Sequence, residues 1–160
     1  MSRLLTLLFA LSTPLPTLAT DAGHHHPPFR TPEHRSPLLL DAGEAAHLHL
    51  EMRLFLSAVH KIISGVAHND MRMVAEAAHS AGMAATHEVP PGLRQKLPTE
   101  FRKLGHRTHI GFDDLARDAS SMADANLVLK QLDQIMSNCI SCHATFRVEL
   151  AKSTQKTSRN

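Results

Sequence analysis

Leu48, Met52, Phe55, Val59, Ile62 and Val66 recur at spacings of 4, 3, 4, 3 and 4. That is the apolar stripe of a helix packed against neighbours, not the alternation of a strand. Asp41 with Glu44 three residues on has the form of a capping box at its start, and the stretch from Gly65 to Asn69 supplies a stop. A second helix is predicted from about Asp70, with Val74, Ala78, Ala81 and Ala85 forming a small-residue stripe that lets a neighbour come close. After a break rich in proline and glycine over 88–98, Thr99 is expected to cap a third helix. Its inward positions are Phe101, Thr108, Phe112, Leu115 and Ala119, and Gly105 and Gly111 weaken it. Ser121 with Asp124 repeats the capping-box signature before a fourth helix. There Val128, Leu132, Ile135, Cys139, Cys142 and Phe146 again run at 4, 3, 4, 3 and 4. All nine prolines fall before Leu38 or between Val89 and Pro98, so two proline-free stretches remain, each long enough for a helix pair. The pattern predicts an all-α domain over 41–150, an up-down-up-down antiparallel four-helix bundle.

The flanks read differently. Residues 1–19 carry one early cation, Arg3, then the apolar run of 4–11, then Pro14, Pro16 and small residues, which is the layout of a secretory signal peptide. The run is short of the ~20 apolar residues of a membrane span, so an exported protein without a membrane span is expected, in the periplasm. Residues 20–40 hold four prolines and the run His24, His25, His26, with few aliphatic side chains before Leu38. A disordered arm is predicted there because little apolar surface offsets its ordering entropy. The His run reads as a solvated segment with incidental affinity for transition metals. Residues 151–160 read as a basic polar tail.

Charge and composition narrow the function. With 17 Lys+Arg against 15 Asp+Glu the chain is close to neutral, so no nucleic-acid partner is expected. Two cysteines exclude a disulfide scaffold. Six Phe, with no Trp and no Tyr, leave little aromatic mass for a core. Either aliphatic side chains fill it, or something other than an amino acid does.

Both cysteines lie in Cys139-Ile140-Ser141-Cys142-His143, the C-x-x-C-H signature of covalent c-type haem attachment. On a helix, residues i, i+3 and i+4 share one face. The two thiols then point together toward the vinyl groups while the imidazole reaches the iron. A redox dithiol calls for a thioredoxin-like βαβ context, and structural zinc for a second pair of ligands at ligand spacing. Neither accompanies the motif.

Only 17 residues follow His143 and none is Met, so any sixth iron ligand comes from upstream. Here the chain resembles the class II c-type cytochromes, the cytochrome c′ and cytochrome c-556 group, over about 38–150. The resemblance is most specific at Cys139-Ile140-Ser141-Cys142-His143-Ala144-Thr145-Phe146-Arg147, where an aromatic and then a basic residue follow the haem-binding His. It implies an exported four-helix bundle with one haem c on the last helix. Cys139 and Cys142 are then the covalent anchors, His143 the proximal ligand, and Phe146 and Arg147 part of the haem surroundings. Arg147 reads equally as a surface cation favoured at a helix C-terminus.

In an antiparallel bundle, Met52, Met83, His79, His87 and His106 lie at the depth of His143. Met71, Met73 and Met122 sit at the far end, and Met136 shares a helix with His143. Met52 alone among the survivors belongs to an unbroken inward stripe. The resemblance places a Met early in the first helix of six-coordinate members and an apolar non-ligand there in five-coordinate, gas-binding members. Met also fills irregular cores without ligating anything. His47, His49 and His60 read as solvated or rim residues.

The expected function is soluble electron transfer through His/Met-ligated haem, with redox proteins as partners and a homodimer among the group's habits. The alternative is a five-coordinate binder of nitric oxide or carbon monoxide, and a third reading is a His-rich metal-binding protein. No nucleophile, general-base pair or phosphate loop points to a turnover enzyme.

Overall fold

A computed structural model describes residues 33–152. The leader, the His24–His26 run, most of the Pro/His-rich arm and all but the start of the basic tail lie outside the described residues. The elements in order are β1 (Ser36–Leu40), α1 (Ala42–Ala67), α2 (Met71–Ser80), a 3-10 turn (Met83–Glu88), α3 (Pro91–Lys96), α4 (Thr99–Met122), α5 (Ala125–Thr145) and β2 (Phe146–Leu150). The fold is mostly helical with a small two-stranded sheet.

Helix α1 starts as its sequence dictates. The Asp41 carboxylate accepts from the Glu44 backbone N–H at 2.9 Å and the Glu44 carboxylate accepts from the Asp41 N–H at 3.0 Å, a reciprocal capping box. It ends before Asn69, whose φ of 55° breaks the helical path. Asp70 caps α2 by accepting from the Met73 N–H. Helix α2 packs against α1 and α4, and α4 against α5. The main core joins Ala58 and Ile62 of α1, Val74, Ala77 and Ala78 of α2, Phe112, Leu115 and Ala119 of α4, and Val128, Leu132 and Ile135 of α5.

Two glycines allow close packing of the helices. A Cβ on Gly65 of α1 would stand 2.7 Å from Val74 Cγ2 and 2.9 Å from the Asp70 carbonyl oxygen, and one on Gly111 of α4 would stand 2.8 Å from Ile135 Cγ1. Gly111 thus admits α5 instead of weakening α4, which runs unbroken through both its glycines. In an open helix Gly→Ala stabilises by about 1 kcal/mol. Because the Gly65 methyl meets backbone, Gly65→Ala is expected instead to destabilise by about 1–3 kcal/mol, read as a lower urea midpoint.

Five expectations need correction. The predicted disordered arm does not extend to residue 40. Residues 36–40 form β1, parallel to β2, with Ser36 opposite Phe146 and Leu40 opposite Leu150. The last helix does not continue to 150 but ends at Thr145, after which Phe146, Arg147, Val148, Glu149 and Leu150 alternate apolar and charged with the period of a strand. Thr99 does not cap α4: Pro98 stands at that position with no side-chain bond, and Thr99 accepts from Arg102. Ser121 lies inside α4, and Asp124 alone caps α5, accepting from the N–H groups of Asn126 and Leu127. The second helix is also shorter than its stripe suggests, giving way after Ser80 to the 3-10 turn and then to α3.

A second core gathers at the ribbon end. Leu38 and Leu40 of β1, Ala45 and Leu48 of α1, Leu93 and Leu97 around α3, and Phe146 of β2 are buried together, with Met52, Phe101 and Cys142 packed on them.

Candidate cofactor site

Helix α5 carries Cys139, Cys142 and His143 in its last two turns. Near the helix end the Ser141 and Thr145 hydroxyls donate to the carbonyls of Ser137 and Ser141, each 2.8 Å away. Both thiols are free and half-buried. Burial pushes each thiol up from its ordinary value, Cys142 further through its neighbour Cys139, so both are S–H groups at neutral pH. His143 follows on the same face with its side chain largely exposed.

Two cavities flank this motif. One, of about 390 Å³, lies among α1, α4 and α5 and is lined by Met52, Phe55 and Val59, by Phe101, Leu104 and Gly105, and by Cys139, Cys142 and His143. Its lining comes from the margins of both cores. A Cβ on Gly105 would meet nothing within 4 Å, so this part of the α4 wall is open. The other, of about 320 Å³, is bounded by the ribbon residues Leu38, Phe146 and Arg147 together with His49, Met52, Cys142 and His143. Cys142, His143 and Met52 therefore border both spaces.

Of the six residues singled out from sequence, Met52, Cys139, Cys142 and His143 border the larger cavity, and Phe146 and Arg147 border the ribbon cavity. Phe146 is buried and meets Phe101 edge-on, with ring centroids 5.5 Å apart. Arg147 sits on β2, not at a helix C-terminus, and pairs with Glu149 at 2.6 Å. Its Nε is buried with no hydrogen-bond partner. Of the other residues at the right depth, Met83 and His106 border a separate space with His47 and Arg94, and His79 is exposed. His49, read as a rim residue, borders the ribbon cavity, and Met136 lines the larger one from α5 itself. Among the described residues no three His, Cys, Asp or Glu side chains converge as a metal site.

One residue of this site is not among those singled out. His109 of α4 lines the larger cavity with its side chain only 5% exposed. Its Nδ1 is 2.8 Å from the Ala81 carbonyl oxygen, its Nε2 is 3.3 Å from Glu51 Oε1, and its ring lies 5.0 Å from that of Phe55. His109, Phe112, Ala116 and Ala119 follow one another at 3, 4 and 3, so His109 extends a buried row that shares Phe112 and Ala119 with the predicted inward face. Burial opposes charge on this ring. The hydrogen bond and negative charge of Glu51 and the Ala81 carbonyl outweigh that, so the imidazole keeps its proton to higher pH than an ordinary histidine.

A raised histidine contributes stability in full below its unfolded value of about 6.5 and loses it as pH rises through the folded value. The urea midpoint is therefore expected to fall with rising pH above neutrality, and to fall less in Glu51→Gln. Equal pH dependence in the two proteins would contradict the assignment.

The chain matches no protein-family model, and neither a curated protein nor a solved structure is significantly similar to it. Among the described residues no helix is long and apolar enough to cross a membrane.

Proposed function

We propose that the protein is a periplasmic electron carrier of the class II c-type cytochrome kind, an antiparallel four-helix bundle of α1, α2, α4 and α5 holding one covalent haem c. The observation that carries this reading is the convergence of Met52 from α1 and of Cys142 and His143 from α5 on the same two apolar spaces. The resemblance at 139–147 and the leader-like pattern of 1–19 add support for haem attachment and for export.

The residues present fit the group. Cys139 and Cys142 would hold it, each thiol adding its S–H across a vinyl double bond, sulfur to one carbon and hydrogen to the other, so attachment would consume no oxidant. His143 would supply a ring nitrogen and Met52 a thioether to the iron, an established ligand pair. Phe55, Val59, Phe101 and Leu104 exclude water along the larger cavity. The orphaned Arg147 Nε at the ribbon cavity is a donor suited to a carboxylate such as a haem propionate. Bound there, haem would supply a one-electron couple, and Met52 on α1 and His143 on α5 would limit rearrangement because both stand on helices. Redox proteins docking weakly are the partners of such a carrier, and no turnover chemistry is assigned to it.

Carbon monoxide separates this reading from the gas-binding one. The reduced protein is expected to show a low-spin spectrum that carbon monoxide leaves unchanged or alters only slowly, since Met52 would compete for the iron. An immediate shift of a high-spin spectrum would make the protein a five-coordinate gas binder instead.

A further inference from the structure

Electron transfer as proposed uses Cys139, Cys142, His143 and Met52 and gives His109 no part. Yet His109 is the most enclosed titratable side chain on the cavity wall, and both its nitrogens face acceptors. The Ala81 carbonyl accepts only, and so does the Glu51 carboxylate. With one proton the ring can donate to only one of them, and a second proton lets it donate to both, with Glu51 as its counter-ion.

We propose that His109, oriented by Glu51 and the Ala81 carbonyl, is a proton site coupled to the metal centre of the same cavity, so that reduction is accompanied by proton uptake at its imidazole. This rests on the haem reading above. Charges that share an apolar cavity interact through little water, and a change of one unit at the metal alters the proton affinity of a ring on the cavity wall. One electron arrives from a donor protein, the charge at the metal falls by one, and one proton from solvent completes the imidazolium. On oxidation the electron leaves to an acceptor protein and the proton returns to solvent. The charge enclosed by the site stays constant through the cycle.

Other titratable groups border the spaces around this ring. Helix α1 presents Glu51 and, beyond it, His47; α5 presents His143 and the two thiols. Helix α4 itself adds His106, Arg102 and Asp113, the last accepting from the Met83 N–H, and α3 contributes Arg94. Among the described residues Glu51 stands in ion-pair range of the His109 ring, so the proton is assigned to the imidazole with Glu51 as its partner.

The test is the reduction potential of the haem-loaded protein as a function of pH. In the wild type it is expected to fall as pH rises through the interval between the oxidised-state and reduced-state titrations of His109. The slope approaches the equivalent of a tenfold change in proton activity per pH unit, about 59 mV for one electron. His109→Gln is expected to flatten that interval while the Met52-dependent absorption persists. In case the variant does not fold, the His109 ring resonances of the wild type are titrated by NMR in both states, with a higher midpoint expected after reduction. Equal midpoints in the two states, or a slope that survives in His109→Gln, would overturn the proposal. A preparation with no haem absorbance overturns the functional reading instead, and the spectrum reports that before any potential is measured.

Discussion

Replacing both cysteines, Cys139→Ala with Cys142→Ala, is expected to abolish every covalent link to haem and to cost the protein most of its stability. The first effect is all-or-none, because no other thiol exists in the chain. Each single variant keeps one thioether and stays coloured after denaturation, whereas the double variant releases its pigment to acidified organic solvent. The second effect follows from the space the site encloses. A folded chain that left about 390 Å³ among α1, α4 and α5 unfilled would forgo up to about 9 kcal/mol at the ~24 cal/mol per Å³ seen for engineered cavities. That is an upper limit, since the cavity has an open mouth, yet it rivals the 5–15 kcal/mol that holds a whole domain together. The double variant stripped of pigment is therefore expected to melt at least ten degrees lower, with a broadened transition by circular dichroism. An unchanged melting curve would mean that the helices close on each other without any occupant.

The second large effect concerns Met52. It is half-buried on α1 and packs on the core built by Leu38, Leu48 and Phe146, so packing and ligation need to be told apart. Met52→Leu preserves apolar volume, and such swaps cost under about 1.5 kcal/mol. Met52→Ala removes it as well, at about 2 kcal/mol for a side chain of this burial. If Met52 ligates iron, both variants turn the low-spin spectrum high-spin, lose the weak Met-to-iron charge-transfer band of the oxidised state and bind carbon monoxide at once. If Met52 only fills space, the leucine variant keeps the parental spectrum and melting point. That outcome would return His49, one turn earlier on the same helix and bordering the ribbon cavity, as the residue to examine.

Much of this arrangement was legible in the chain. The stripe from Leu48 to Val66 marked α1, and Asp41 with Glu44 marked its first turn. The C-x-x-C-H spacing placed three side chains on one face of α5, and depth together with the inward stripe pointed to Met52, which lines both cavities. What escaped has physical reasons. Helical spacing carried through Cys142 to Phe146, and one more interval at the same period hid the change to a period of two at Phe146. A five-residue strand has too few positions to announce itself, and β1 gains its pairing only from β2, more than a hundred residues away. Ser121 and Thr99 had the right chemistry for caps, but Asp124 and Pro98 took those positions. His109 was passed over because a histidine beside an apolar row reads as solvated until Glu51, on another helix, is brought within reach.

The most direct test of the central claim is the intact mass of the purified protein, made in a host able to mature c-type cytochromes and then denatured and washed with acidified organic solvent. The account predicts the mass of the processed chain plus one haem, carried by a species that still absorbs in the visible. The bare chain, or a chain two hydrogens lighter through a Cys139–Cys142 disulfide, would contradict it.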